Sequence, residues 1–161
     1  MSTRSTQNNP LIGTWKLISA TAIHSDGMID SEVYGANPTG YITYTADGYM
    51  MVMFSRSDRS LFSKEIQSPL SREIQSLPVE ECAQAFATFN AYAGTYTVND
   101  NTVNHHLEMA SIPNRVRTTL VRTFTLNGNQ ITLRTPEIMS DGIATVFELV
   151  WERLKSQTTA D

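Results

Sequence analysis

Cysteine, lysine and histidine are scarce in this chain. Of its 161 residues one is cysteine and three are histidine; lysine occurs only at Lys16, Lys64 and Lys155. The lone Cys82 excludes an intramolecular disulfide. Acidic residues outnumber basic ones 16 to 12, a net charge of −4. The chain therefore lacks the basic face that neutralises phosphates, and no nucleic-acid partner is expected. Long apolar runs are missing too. The longest, Tyr49–Phe54, is far too short to span a bilayer, so no membrane partner is expected either. Met1–Asn9 is polar and does not read as a secretory signal, and no Asn-x-Ser/Thr acceptor occurs, since Asn37 is followed by Pro38. With the single cysteine, this gives the expectation of a reducing, cytoplasmic setting. Phosphate-loop, dinucleotide and Gly-x-Ser-x-Gly fingerprints are absent. His105 and His106 are adjacent and diverge on a strand, while His24 is far away, so no metal or other cofactor is expected.

Threonine is abundant, at 20 residues, and apolar residues make up 40%. β-Branched threonine favours strands, so the balance tilts towards β structure. Strand-like segments recur between turn signals: Leu11–Ala22, Met28–Tyr34, Tyr41–Thr45, Tyr49–Ser55, Thr95–Val98, Thr102–Met109, Thr118–Leu126, Gln130–Thr135 and Thr145–Leu154. Their tight connections, Ala46-Asp47-Gly48, Asn99-Asp100-Asn101 and Asn127-Gly128-Asn129, suit sequential hairpins. The expected fold is all-β: a single up-and-down antiparallel barrel of 8–10 strands over residues 11–154 with one covering helix. Residues 1–10 read as a flexible lead and 155–161 as a disordered tail.

The helix is expected over residues 78–93. Pro78 suits its first position and Gly94 its stop. Val79, Cys82, Ala83, Phe86, Phe89, Asn90 and Ala93 share one face at i, i+3, i+4, i+7 spacing, which would bury Cys82 as an inert packing residue. Before it, within the loop 55–77, Ser63–Leu70 is nearly repeated by Ser71–Pro78. Two copies make no solenoid, which needs at least three; the stretch reads as a tolerated surface duplication or as a mobile lid.

Several stretches carry a family resemblance. The first strand holds Gly13-Thr14-Trp15 and the last ends Trp151-Glu152-Arg153. With Leu11–Leu17, Asn37–Tyr41, Tyr44–Gly48, Tyr92–Tyr96 and Val103–Glu108, they resemble the bacterial and fungal lipocalin-like domain family over about residues 11–153. The resemblance implies a barrel with an internal cavity for a small molecule. It also implies closure of one end by Gly13, Trp15 and Arg153, the guanidinium stacking on the indole. The duplicated octad and Leu77, where a polar helix cap is usual, depart from the family pattern.

Inward and outward side chains alternate in a small barrel. One register places Tyr96, Val98, Val103, Leu107 and Met109 inward and carries His105 with them, leaving His106 and Glu108 on the opposite face. Another places Leu120, Phe124, Leu126, Ile131 and Leu133 inward with Arg122. Phe147, Leu149 and Trp151 share the face of Arg153. Both faces of Tyr41–Phe54 are apolar. Ile42, Tyr44, Met50, Val52 and Phe54 are assigned inward, and Tyr49, Met51 and Met53 outward against the helix or a second copy of a homodimer.

These registers nominate the candidate site. Ile42, Met50, Val52, Phe54, Tyr96, Leu107, Phe124, Phe147, Leu149 and Trp151 would line the cavity around a small hydrophobic ligand. Inward His105 and Arg122 would either form an internal hydrogen-bond network with Tyr44 or Tyr96, or orient the oxygen end of that ligand. His106 and Glu108 form an acid–base dyad only if their face is the inner one; otherwise they are an exposed polar surface. Two functions compete. In the first, the chain is a cofactor-independent isomerase or cyclase of a polyketide- or terpenoid-like metabolite. His105 moves a proton, Arg122 stabilises negative charge and Tyr44 donates a hydrogen bond. In the second, it is a carrier that binds and releases such a molecule unchanged.

Overall fold

The computed structural model describes residues 8–157. The expected flexible lead and disordered tail lie largely outside the described residues. Ten strands form one sheet: β1 (Gly13–His24), β2 (Ile29–Asp30), β3 (Thr39–Tyr44), β4 (Tyr49–Ser55), β5 (Phe89–Asn99), β6 (Thr102–Ala110), β7 (Thr119–Asn127), β8 (Gln130–Arg134), β9 (Ile138–Ser140) and β10 (Ile143–Arg153). Their order is β2-β1-β3-β4-β5-β6-β7-β8-β10-β9, and β1 also pairs with β10. That pairing closes eight antiparallel strands into a barrel; β2 and β9 are short additions at its open end. Closure gives each of the eight barrel strands a paired neighbour on both sides.

The hairpins form as their turns require, but two bulges reset which residues point inward. In β1 the register shifts between Leu17 and Ser19, so the buried set runs Trp15, Leu17, Ala20, Ala22 and Ile18 is turned outward. In β6, Ala93 faces Met109 while Gly94 faces Leu107, leaving Glu108 as the extra residue. The alternation therefore holds for Val103, His105 and Leu107 and fails beyond them. Met109, expected inside, is 66% exposed. Gly94 sits at this bulge, not at a helix end. A Cβ there would lie 1.9 Å from the His106 carbonyl oxygen, so only glycine lets β5 and β6 approach.

The helix α1 spans Val79–Ala87, shorter than the expected 78–93. Pro78 is its N-cap, one position earlier than expected. Thr88 ends it by donating its hydroxyl to the Gln84 carbonyl (2.7 Å), and from Phe89 the chain is β5. Phe89, Asn90 and Ala93 therefore alternate along a strand and do not share a helical face. No residue of α1 is buried, and Cys82 is partly exposed, correcting its expected place in a core. The outward face of the hairpin is likewise uncovered: Tyr49, Met51 and Met53 are each about half exposed.

One end of the barrel is sealed. Trp15, Leu11, Tyr44, Met50, Val103 and Ile131 are fully buried there. The Trp15 indole donates to the Leu11 carbonyl (2.9 Å), and the Arg153 guanidinium lies 4.1 Å from the Trp15 ring centroid. Arg153 also donates to the carbonyls of Ile12 and Pro10. Gly13, at φ +128°, would set a Cβ 2.8 Å from that guanidinium, so it leaves the space Arg153 occupies.

Candidate functional site

The other half of the barrel is hollow. A cavity of about 300 Å³ opens at the end where β3, β5, β7 and β10 begin. This is the lower end of the range of about 300–1,000 Å³ that small-molecule sites occupy. Its walls are mainly apolar: Ile42, Val52, Phe54, Leu120, Leu133, Phe147, Leu149 and Trp151, with Ala20, Val33 and Ile138. Its polar groups are Tyr34, Asn90, Tyr92, His105, Arg115, Arg122 and Thr135. A second hollow adjoins it and shares Tyr34, Phe54, Asn90, Arg115 and Phe147; Phe86 and Ala87 of α1 and Phe89 complete it. The end of α1 thus borders the mouth.

None of residues 57–77 lines either hollow. The duplicated octads lie along α1, where the Ser63 amide donates to Glu81 (3.1 Å). The second folds onto the first, with the Gln67 amide donating to Glu73 (2.9 Å). In this structure the stretch lies beside α1 and borders neither hollow. Arg59 binds the start of the loop to the end of α1, donating to the Thr88 hydroxyl (3.1 Å) and the Ala85 carbonyl (3.2 Å).

At the inner wall three side chains form a chain of hydrogen bonds. His105 is completely buried. Its Nε2 is 2.7 Å from the Tyr44 hydroxyl and its Nδ1 is 3.0 Å from the Tyr92 hydroxyl. Burial, and then the charges of Arg122 and His106, push its pKa down to about 3. At neutral pH the ring is therefore neutral, with one nitrogen donating and the other accepting. Tyr44 decides the direction. It is buried away from the cavity, and among the described residues its hydroxyl has no partner but His105. If Tyr44 accepted, its own proton would be stranded, at a cost of about 1–3 kcal/mol. So Tyr44 donates to Nε2, Nδ1–H donates to Tyr92, and the Tyr92 proton is free for an acceptor in the cavity. Burial raises the Tyr44 phenol well above its ordinary value. Burial also raises that of Tyr92, against the opposing pull of Arg122 and Arg115.

Arg122 lies beside this chain. Burial lowers its pKa, and of the other influences Tyr92 raises it while Arg115 lowers it. One of its donors reaches the Val121 carbonyl (2.8 Å). Arg115 comes from a 3-10 turn, Pro113–Arg115, between β6 and β7. Among the described residues no carboxylate lines the cavity.

The structure thus gathers His105, Arg122, Ile42, Val52, Phe54, Phe147, Leu149 and Trp151 around one space. Met50, Tyr96 and Phe124 are buried in the sealed half, and Leu107 is buried where β6 bonds to Arg117 and Thr118; none of these four lines the cavity. Tyr44 reaches it only through His105. Leu126, expected inside, is 40% exposed near the end of β7. His106 faces outward between the hydroxyls of Thr97 (3.1 Å) and Thr119 (3.0 Å), and Glu108 is exposed at the bulge, so no internal dyad forms. Tyr92 and Asn90 lie in the span that the helical spacing predicts as helix, which hides them as cavity residues. Their alternation with Gly94 and Tyr96 was the available signal. Arg115 carried none, lying in an irregular connection.

A family model described as the lipocalin-like domain matches residues 12–154. The chain belongs to the lipocalin-like domain family. A closed barrel with a hollow, largely apolar half is what a lipocalin-like domain uses to hold a small molecule, so small-molecule binding is supported at that level. Among the curated proteins nothing matches the chain. Among solved structures, an uncharacterized protein from Bacteroides eggerthii is similar at 11% identity and a TM-score of 0.44, covering 89% of this chain and 99% of its own. Among the described residues of this lipocalin-like domain no three His, Cys, Asp or Glu side chains cluster as metal ligands. Among the described residues no helix is long and apolar enough to cross a membrane.

Proposed function

We propose that this lipocalin-like domain binds one compact, largely apolar molecule in the hollow half of the barrel, with an oxygen acceptor of that molecule at Tyr92 and Arg122. The observation that carries the reading is the Tyr44–His105–Tyr92 chain, whose only unspent proton borders a cavity that is otherwise mainly apolar. Fixed donors of this kind orient a ligand while the apolar wall supplies most of the affinity. A fused-ring or terpenoid-like skeleton of modest size fits such walls.

The same pair supports a catalytic reading, cofactor-independent isomerisation or cyclisation. A polarised Tyr92 hydroxyl and the Arg122 guanidinium would stabilise negative charge developing on a carbonyl oxygen. His105 is then a positioning residue: both its nitrogens are occupied, and at neutral pH it holds no proton it can release. Tyr92 takes the role that the sequence assigned to Tyr44.

Native mass spectrometry of the purified protein tests the binding reading, with quenching of Trp151 fluorescence by bicyclic probes. A retained or titratable ligand whose binding weakens in Tyr92→Phe is expected. A wild-type protein that neither retains a molecule nor binds any probe overturns it. Conversion of the bound molecule on incubation, lost in Tyr92→Phe and in Arg122→Ala, would select the catalytic reading.

A further inference from the structure

The two arginines at the cavity set the chemical class of the ligand more narrowly. Elsewhere in the described chain, arginines are satisfied or solvated. Arg56 pairs with Asp58 and Arg134 with Glu148. Arg59 and Arg153 donate to main-chain carbonyls. Arg72 and Arg117 are exposed. Arg115 and Arg122 differ from all of these. Both are partly buried, both line the cavity, and neither has a carboxylate partner among the described residues. Arg122 bonds to its neighbouring carbonyl and lies within hydrogen-bonding reach of the Tyr92 hydroxyl oxygen, and the Arg115 guanidinium has no partner among the described residues. They lie near enough for the charge of Arg115 to disfavour that of Arg122. Two unneutralised cations in a mainly apolar wall are unfavourable for the empty protein, and a bound anion relieves both their repulsion and their missing hydrogen bonds.

We propose that the polar end of the ligand is a monoanionic carboxylate, held by Arg122 inside the cavity, by Arg115 at its mouth, and by the free proton of Tyr92. The planar guanidinium fork matches a carboxylate in two parallel hydrogen bonds. A doubly charged phosphate would lose far more hydration in so apolar a space, and a neutral carbonyl would compensate neither cation, where a carboxylate compensates one and bonds to both. Arg115 also borders the adjoining hollow, on the side of Arg122 towards the mouth. The inference rests on the cavity being a small-molecule site.

Isothermal titration with 2-naphthoate, 2-naphthamide and 2-naphthylmethanol tests it, since the three share one apolar body. Wild type is expected to bind the carboxylate at least about tenfold tighter than the amide, as charge-assisted bonds exceed neutral ones. In Arg122→Gln the two affinities converge, and in Arg115→Gln the preference for the carboxylate over the amide shrinks. Added chloride weakens the carboxylate and not the amide in wild type, a readout that survives if Arg122→Gln fails to fold. Equal binding of all three probes by wild type overturns the anion assignment and leaves the cavity reading standing. Absence of binding by all three at millimolar concentration overturns both. A carboxylate preference unchanged in both variants overturns the assignment to these arginines.

Discussion

The buried imidazole makes stability depend on pH in a way that isolates His105. In the unfolded chain its pKa is near the ordinary histidine value of about 6.5. In the folded protein burial and the neighbouring cations hold it at about 3. Between these values the unfolded state binds a proton that the folded state refuses, so stability rises with pH across the window and is lost as pH falls through it. Each pH unit contributes about 1.4 kcal/mol, so lowering the pH from 6.5 to 4.5 should remove roughly 2–3 kcal/mol through this group alone. Carboxylates titrate in the lower part of the same range, so the test is a difference. Urea denaturation of wild type and His105→Gln is compared at several values between pH 7.5 and 4.5. The variant is expected to be less stable at pH 7.5, because Tyr44 and Tyr92 lose their shared partner, and to fall less steeply below pH 6.5. Parallel curves, or a His105 imidazole that titrates near 6 by NMR in the folded protein, would refute the placement of a neutral ring between two phenols.

Two further substitutions test the frame that holds the site. Arg153→Met removes the guanidinium from the Trp15 face and its two bonds to the Ile12 and Pro10 carbonyls. A loss of about 3 kcal/mol in urea denaturation is expected, from a cation–π contact and two charge-assisted bonds partly replaced by water. Gly94→Ala must move the β6 backbone away from a Cβ otherwise 1.9 Å from the His106 oxygen. It should cost about 3 kcal/mol or more by calorimetry and shift the His105 resonances, because β5 also carries Tyr92 and β6 carries His105.

Hairpins were legible because turn residues and alternation are local. The 41–54 hairpin is apolar on both faces, so alternation alone does not choose between them; the pairing Ile42↔Val52 and Tyr44↔Met50 places Ile42, Tyr44, Met50 and Val52 together on the buried face. What failed was long-range. No residue type marks Glu108 as a bulge; it lies where the pairing of β6 with β5 shifts register at Gly94, and it turns Met109 outward. The helix was overextended because Phe86, Phe89, Asn90 and Ala93 satisfy a helical period by coincidence. The competing signal was Asn90, Tyr92, Gly94 and Tyr96 at period two, with a glycine that only a close strand approach explains. Arg115 was invisible because nothing in a connecting turn says which cavity it borders.

The division of the barrel into a sealed and a hollow half argues that the hollow is selected and not tolerated. Eight-stranded barrels can fill their interior with side chains, and the half closed by Trp15, Tyr44 and Met50 does so. The other half could have been filled by the same means, with gains in dispersion and no penalty for buried charge. Instead it holds two arginines with no carboxylate partner among the described residues and a tyrosine proton without an acceptor. Each lowers the stability of the empty protein, and all point into one space. A group that destabilises the fold by itself can be an accident of packing. Three such groups converging on a cavity that one small anion would satisfy are most simply explained by that anion.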